Sequence, residues 1–419
     1  MNKKLLYISN RVFWPPMGGH EVEMYHYCRG LHDCCGYDID VYVFDDASNI
    51  DLEKKPSFLN EVFISKPITK GTKIANIFRK SLFGKEQWPL QCALYFSKYN
   101  VTRIREIIDN GSYNAIFVDM IRLAPYFEAF QDAQCKRILD IDDTLSKRYR
   151  RQLQSLSEKT VIAGQYNDKL PGFIQKVLES QFIKRRVLKF EIPRMEKAEK
   201  RYGAFYDKVI FVSSIETDEF NAKYPGNKAV TVAMGVDYPF FSEEIDVKPE
   251  HGVASFVGNM KTAANVDSVR MIIDQILPLS KKLKRIDFIG GCPDYLVDEY
   301  KSNKRVRFTG RVDDLRPYVK ATDLFLSPLA YGTGIKTKIL EAMAMGMPVI
   351  TNSIGAEGIP GENKIQWLTS DDFQVLAEYI DWVIDNPEES ARIGKNAQKF
   401  VRRDFQWEHI FTHFSRLEL

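Results

Sequence analysis

The chain has 419 residues with 59 basic and 56 acidic side chains, a balance too even to call for a nucleic-acid partner. Hydrophobic residues make up 44 % and charged residues 27 %, which excludes a disordered acidic chain, and the length leaves room for two domains. The small excess is uneven: the first 240 residues carry a net +6 and the remainder −3.

From the amino end, Met1 to Ile8 has the charged opening of a signal peptide, but its apolar run stops at Ser9 after four residues, too short for a leader. Short β-branched and aliphatic runs predict strands at 5–8, 39–44, 115–118, 137–140, 208–212 and 229–232. A second set follows at 253–257, 285–289, 306–309, 324–326, 348–350 and 365–368. Helical periodicity between them predicts helices at 21–32, 265–283, 335–345 and 372–385. Strand–helix alternation argues for parallel sheets covered by helices, and twelve strands are too many for one open sheet. The pattern weakens at 235–251, where Pro239 and Pro249 flank a mixed-charge run. The expected division is therefore 1–238, a linker at 239–251, 252–403, and a final helix at 404–419 packing back on the first domain.

Six cysteines show no C-x-x-C spacing, which fits free thiols in a reducing compartment better than zinc ligation or a disulfide framework. No stretch is apolar enough to span a bilayer. The expected location is the cytoplasm. Residues 146–208 hold 16 basic and 7 acidic side chains, with helical stretches at 173–190 and 193–201, so a helical insertion is expected at about 146–203. The plain reading is a solvated helical hairpin. The sharper one is a basic surface touching anionic lipid at the inner face of the membrane, a theme repeated with aromatics at 70–88.

Ligands of doubly wound sheets bind beyond the carboxyl ends of the strands. The first strand runs into Met17-Gly18-Gly19-His20 and a helix, whose N-terminal N–H groups suit an anion; a tight turn explains the same glycines. The stronger signal is Tyr331-Gly332-Thr333-Gly334-Ile335-Lys336-Thr337-Lys338-Ile339-Leu340-Glu341. Lys336 in a first helical turn opposes the macrodipole unless an anion joins it, which favours a phosphate-bearing ligand. Glu341 suits ribose hydroxyls; its plain alternative is pairing with Lys338 or Lys336. Asp140-Ile141-Asp142-Asp143 has the look of a metal-binding acidic pair, but aspartates at a strand-to-helix junction also cap helices. Capping or acceptor contact is the reading, with no metal. Asp119 and Arg122 follow the strand at 115–118, on the side expected to hold an acceptor, or cap a surface helix.

The stretch from Gly332 to Gly346 with Pro348-Val349-Ile350 resembles the donor signature of family-four-type retaining glycosyltransferases of the two-domain GT-B fold. Further resemblances follow in family order: Met17-Gly18-Gly19, the run from Asp207 to Ser213 with Glu216, Met234-Gly235-Val236-Asp237, Phe256-Val257-Gly258-Asn259-Met260, and the run from Val306 to Val312. They cover nearly the whole chain except about 50–100 and 145–200. The sequence departs from the pattern at Thr333, where the first of two glutamates is usual. It also departs at Asn259 and Ala264 or Asn265, where an Arg and a Lys usually grip the diphosphate. It is similar to a subgroup reading Gly-x-Gly-Ile-Lys-x-Lys.

The resemblance implies two facing doubly wound Rossmann-like domains with a cleft, and sugar transfer from a nucleotide-diphosphate sugar to a glycan or lipid-linked acceptor with retention, in surface polysaccharide or glycoconjugate synthesis. Closure across the linker would exclude water. Donor contacts would come from Gly18, Gly19, Asn259, Lys261, Arg311, Val312, Thr333, Gly334, Ile335, Lys336 and Glu341. Acceptor contacts would come from Asp119, Arg122, Asp142 and Asp143, and catalytic roles fall to Lys336, His20 and Asp119. No cofactor and no metal are expected. The alternatives are a non-catalytic GT-B subunit that binds a sugar nucleotide or another transferase, and a nucleotide-sugar epimerase.

Overall fold

The computed structural model describes residues 3–45, 47–155, 181–226 and 228–419. They fall into two units, one of Met1–Ser146, Phe190–Met234 and Trp407–Leu419, the other of Lys147–Lys189 and Gly235–Gln406.

The first unit is built on seven strands: β1 (Lys3–Ser9), β2 (Tyr37–Val43), β3 (Leu59–Ile64), β4 (Ala115–Asp119), β5 (Lys136–Asp142), β6 (Lys208–Phe211) and β7 (Ala229–Thr231). Their order is β3-β2-β1-β4-β5-β6-β7, every pair parallel. Chain direction across the sheet reverses between β1 and β4. The register there sets Ile8 against Val118 and Asp119 against Asp140, so Asn10, Asp119 and Asp140 come out at one carboxyl edge. Leu5, Leu6, Ile8, Phe117, Val118, Leu139 and Ile210 bury the centre of this sheet.

Helix Gly19–Asp33 follows β1 and lies under the chain's end. His26 stacks on Trp407 at 4.2 Å, and Tyr27 meets Phe414 edge-on. At Gly30 an added Cβ would stand 2.4 Å from the Phe411 ring, so only glycine admits this packing.

The second unit holds β8 (Glu250–Val257), β9 (Arg285–Ile289), β10 (Val306–Gly310), β11 (Thr322–Leu326), β12 (Val349–Thr351) and β13 (Leu368–Thr369), in parallel order β10-β9-β8-β11-β12-β13. The topology is again doubly wound, with its reversal between β8 and β11. Phe256, Val266, Ile273, Ile286, Phe288, Leu324, Leu326 and Ile380 form its core. At the carboxyl edge Gly290 has φ +130°, and a Cβ there would meet the Gly258 carbonyl oxygen at 2.1 Å. Glycine at 290 is what lets these two loops touch.

Several predicted elements change. Strand β3 was not predicted: only Leu59 of it is buried, so its edge position leaves little apolar signal. The helix expected over 265–283 is α-helical over Ala263–Met271 and then widens to a π-helical turn over Ile272–Ile276, with Leu277 N–H on the Ile272 carbonyl at 2.8 Å. That keeps Ile272, Ile273, Ile276 and Leu277 all buried. Pro193 does not start a helix but lies inside Gln181–Phe205. Of the predicted stretch at 173–190, residues 173–180 lie outside the described residues and 181–190 are helical, within Gln181–Phe205. The helix expected from Ile335 starts at Thr337, leaving Lys336 as its N-cap residue.

Candidate active site

At the carboxyl edge of the first sheet, His20 is the centre of a polar cluster. It occupies the first turn of helix Gly19–Asp33, so Glu23, three residues on, shares its face. Its Nε2 lies 2.9 Å from Asp119 Oδ1 and its Nδ1 3.1 Å from Glu23 Oε2. Asp142 Oδ2 stands 4.0 Å from the same Nδ1. Asn10, just past β1, donates from its backbone N–H (3.3 Å) and its side-chain amide to Asp119 Oδ2. Asp142 has φ +64°, the left-handed region, and its N–H donates to Asp140 Oδ1 at 2.9 Å.

Exposure divides the cluster. Asp119 and Glu23 leave only 0 % and 2 % of their side chains exposed, and Asp140 is buried too. His20 and Asp142 keep 17 % and 21 %. A ligand would meet the imidazole and Asp142, held from beneath by the other carboxylates.

Burial opposes charge on His20, but Asp119, through its charge and hydrogen bond, and then Glu23 outweigh it and raise the imidazole well above its ordinary range. Burial alone would raise Asp119; His20, the Asn10 N–H and Arg122 reverse this and hold it low. Glu23 and Asp140 go up, mainly through burial and then through the surrounding carboxylates. The arrangement is a His20–Asp119 pair whose shifts favour the charged forms of both, beside two carboxyls whose burial favours the protonated form. Ligand atoms of His20, Glu23 and Asp142 lie within 4.8 Å of one another, a separation one cation could span. Both ring nitrogens of His20 already face carboxylates, Nδ1 on Glu23 and Nε2 on Asp119, so a cation would have to displace one of these contacts.

In the second unit, the loop after β11 carries the glycines. Gly334 has φ +66°, and the loop is pinned by paired bonds between Asn352 and Leu329, with the Ala330 N–H on Ser268 Oγ. Lys336 Nζ turns back onto the Thr333 carbonyl (3.0 Å) and the Gly334 carbonyl. Both carboxylate oxygens of Glu341 accept from Lys338 Nζ, at 3.0 and 2.9 Å. Burial raises the Glu341 carboxyl and Lys338 offsets part of that rise.

Two arginines of helix Leu145–Ser155 stand against this loop. Arg148 Nε donates to Thr333 Oγ1 at 3.0 Å. Arg151 donates to the Gly332 carbonyl at 2.6 Å and grips both oxygens of Glu357, with Lys147 3.3 Å from the same carboxylate. Burial raises Glu357, and the bonds and charges of Arg151 and Lys147 override it and lower the group.

The predicted residues thus separate. His20, Asp119 and Asp142 come together in the first unit; Thr333, Gly334, Ile335, Lys336 and Glu341 share one loop and helix in the second. Asn259, Lys261 and Arg311 are exposed, with half-buried Val312, past the ends of β8 and β10. Asp119 lies beneath the imidazole, Asp143 is buried, and Arg122 is buried with its guanidinium 5.6 Å from the Tyr95 ring, so Asp142 is the acceptor candidate with open surface. The N–H groups of Met17 and Gly18 are not open to an anion: both donate to Glu21 Oε2, at 3.0 and 2.9 Å. A carboxylate in the first turn reaches back to the residues just before the helix, Gly18 at its N-cap and Met17. Sequence reading missed Asn10, Glu23, Arg148, Arg151 and Glu357, and it read Asp140 as a cap or acceptor contact where it lies buried, accepting from the Asp142 N–H. Glu23 carried a signal, a charged residue one place before Met24 on a face with Tyr27 and Leu31.

Residues 251–386 match the family described as Glycosyl transferases group 1. An uncharacterized 44.6 kDa protein of the cps region of Klebsiella pneumoniae is 22 % identical over 247 residues, 56 % of this chain and 62 % of that protein. The match therefore spans less than two thirds of that relative's length. Among solved structures, sucrose-phosphate synthase from Thermosynechococcus elongatus has a TM-score of 0.69 at 16 % identity, over 99 % of this chain and 98 % of that one. Anabaena HepE in complex with UDP-glucose has a TM-score of 0.64 at 15 % identity, over 99 % and 98 %. At these identities the likeness establishes the fold, GT-B.

Proposed function

We propose that this chain is a glycosyltransferase that moves a sugar from a nucleotide-diphosphate donor to a glycan or lipid-linked acceptor, with retention, in the assembly of a surface polysaccharide or glycoconjugate. One observation carries the reading. The glycine loop after β11, with Lys336 at the cap of helix Thr337–Ala344 and Glu341 one turn on, lies inside the stretch that matches the transferase family. The solved neighbour that holds UDP-glucose and the relative from a cps region support the donor and acceptor classes.

The hard event is cleavage of the glycosidic bond as charge grows on the departing β-phosphate. Helix N-terminal N–H groups would meet that charge, and Lys336 would exchange its loop carbonyls for phosphate oxygens. Arg148 brings to Thr333 a cation of the kind that Asn259, Ala264 and Asn265 do not supply. Glu341, bonded to Lys338, would accept the ribose hydroxyls. In the first unit, His20 and Asp142 would orient the acceptor hydroxyl, with Asp119 as a positioning residue. No step needs a metal or cofactor. The reading places the protein in the cytoplasm, at the inner face of the membrane where the acceptor is lipid-linked.

The test is a thermal-shift panel of nucleoside diphosphates and their sugars, followed by turnover with the donor that binds. Lys336→Ala and Glu341→Ala should each lower turnover by at least about tenfold, the weight of one charged transition-state contact. Unchanged rates in both variants, or epimer formation from donor alone, would overturn the assignment.

A further inference from the structure

The sequence from Lys66 to Lys85 has six cations and no acidic residue. Its helix starts at Lys70, capped by Thr69, whose hydroxyl accepts the Thr72 N–H at 3.2 Å. It runs as α-helix to Asn76 and then as a π-helical turn over Ile77–Leu82, closed by the Phe83 N–H on the Phe78 carbonyl at 2.9 Å. The wider turn changes which residues align. In a continuous α-helix Ser81 would fall beneath Ile74; here Ser81 is fully buried, and Ile74, Phe78 and Leu82 lie outward instead.

One face is fastened down. Asn76 donates to the carbonyls of Ala93 and Phe96 at 3.0 and 2.7 Å. Lys80 Nζ lies 3.8 Å from the Trp88 ring centroid and 4.2 Å from that of Phe96, and the Ser81 carbonyl accepts from Arg194. The other face is apolar and open: Ile74, Phe78, Leu82 and Phe83 are exposed to 56, 51, 43 and 81 %. Four large apolar side chains in one stripe, with Lys70, Lys73, Arg79 and Lys85 along it, are costly to leave in water.

We propose that this face docks on an anionic lipid bilayer, with the stripe entering the acyl boundary and the flanking cations resting among the headgroups. Charge selects the occupant. A second copy seated by a twofold axis would set this cationic segment against itself, and no acidic side chain lies in the segment to relieve it. A bilayer supplies apolar depth and negative charge together. The proposal names the surface through which the enzyme reading would reach a lipid-linked acceptor; it rests on that reading for purpose, not for the contact.

The experiment is flotation of the full chain with vesicles of phosphatidylcholine alone and with about 30 % phosphatidylglycerol, at low and high salt. The wild type should float with the anionic vesicles, and less so as salt rises. Phe78→Glu with Phe83→Glu should reduce the bound fraction by about tenfold or more. Lys70→Glu with Lys73→Glu should reduce it by roughly fivefold per cation. Melting temperature and nucleotide-induced thermal shift, measured on the same variants, should match the wild type, since these side chains are on the surface. Failure of the wild type to float at low salt, or undiminished flotation of the Phe78/Phe83 variant, would overturn the proposal. So would a wild-type dimer, indifferent to vesicles, that the Phe78/Phe83 variant converts to monomer. Vesicle binding without any nucleotide-induced shift would instead remove the transferase reading and leave the surface standing.

Discussion

His20 has both ring nitrogens committed, Nε2 to Asp119 and Nδ1 to Glu23, and that fixes its charge as well as its orientation. A histidine whose folded pKa is raised contributes stability that is complete below its unfolded value of about 6.5 and is lost as pH rises through the folded one. Asp119, whose pKa is lowered, contributes stability present above about pH 4 and lost as acid titrates it through its folded value. The pair is therefore strongest between these limits and weakens beyond each of them. Asp119→Asn should cost roughly 3 kcal/mol at pH 6, because a buried imidazolium loses its counter-ion. It should also shift the alkaline loss to lower pH as His20 falls back toward its ordinary range. Urea unfolding at pH 5.5 to 9 measures both; a pH profile that Asp119→Asn leaves in place would show that His20 is not protonated in the folded chain.

Among the elements, helix Leu145–Ser155 connects least obviously to its sequence. Its arginines belong to a basic run that reads as a solvated face, yet Arg148 and Arg151 end on the donor loop and on Glu357. Arg151→Met leaves the Glu357 carboxylate, 10 % exposed, facing Lys147 without its two-pronged partner, and should destabilise the second unit by roughly 1.5–3 kcal/mol. Arg151→Lys should recover less than half, since a point charge cannot reproduce the two-pronged grip. Equal stability of all three proteins in denaturant titrations would show the contact to be dispensable. The same contrast explains what the sequence disclosed. A central strand such as β4 announces itself as an apolar run, 115–118, and the Gly332–Gly334 loop by its glycines and the lysines that follow. Edge strand β3 and the two π-helical turns follow from packing that no local pattern encodes. Asp119 and Asp140 reach the His20 cluster only because the parallel register brings the carboxyl ends of β1, β4 and β5 level, and Arg148 meets Thr333 across 185 positions of chain.

Across the whole molecule, charge and chemistry are divided. The first 240 residues hold the positive excess and the exposed basic helix, while the stretch that matches the transferase family, 251–386, comes from the mildly acidic remainder. Each unit has its own sheet and its own core, so a ligand held by one should leave its mark mainly there. Hydrogen exchange with and without a nucleoside diphosphate at about 100 times its Kd tests this. Binding to the native state at that ratio is worth about 2.7 kcal/mol, the ceiling on added protection for amides that exchange only when the site unfolds. Protection should rise by up to roughly 100-fold in β8, β11, the loop at 327–336 and helix Thr337–Ala344. Amides of helix Lys70–Asn76 and of β2 should keep their rates. If protection rose instead around Asn10, His20 and Asp142, the anionic donor would belong to the first unit, and the imidazolium over Asp119 would be its counter-charge.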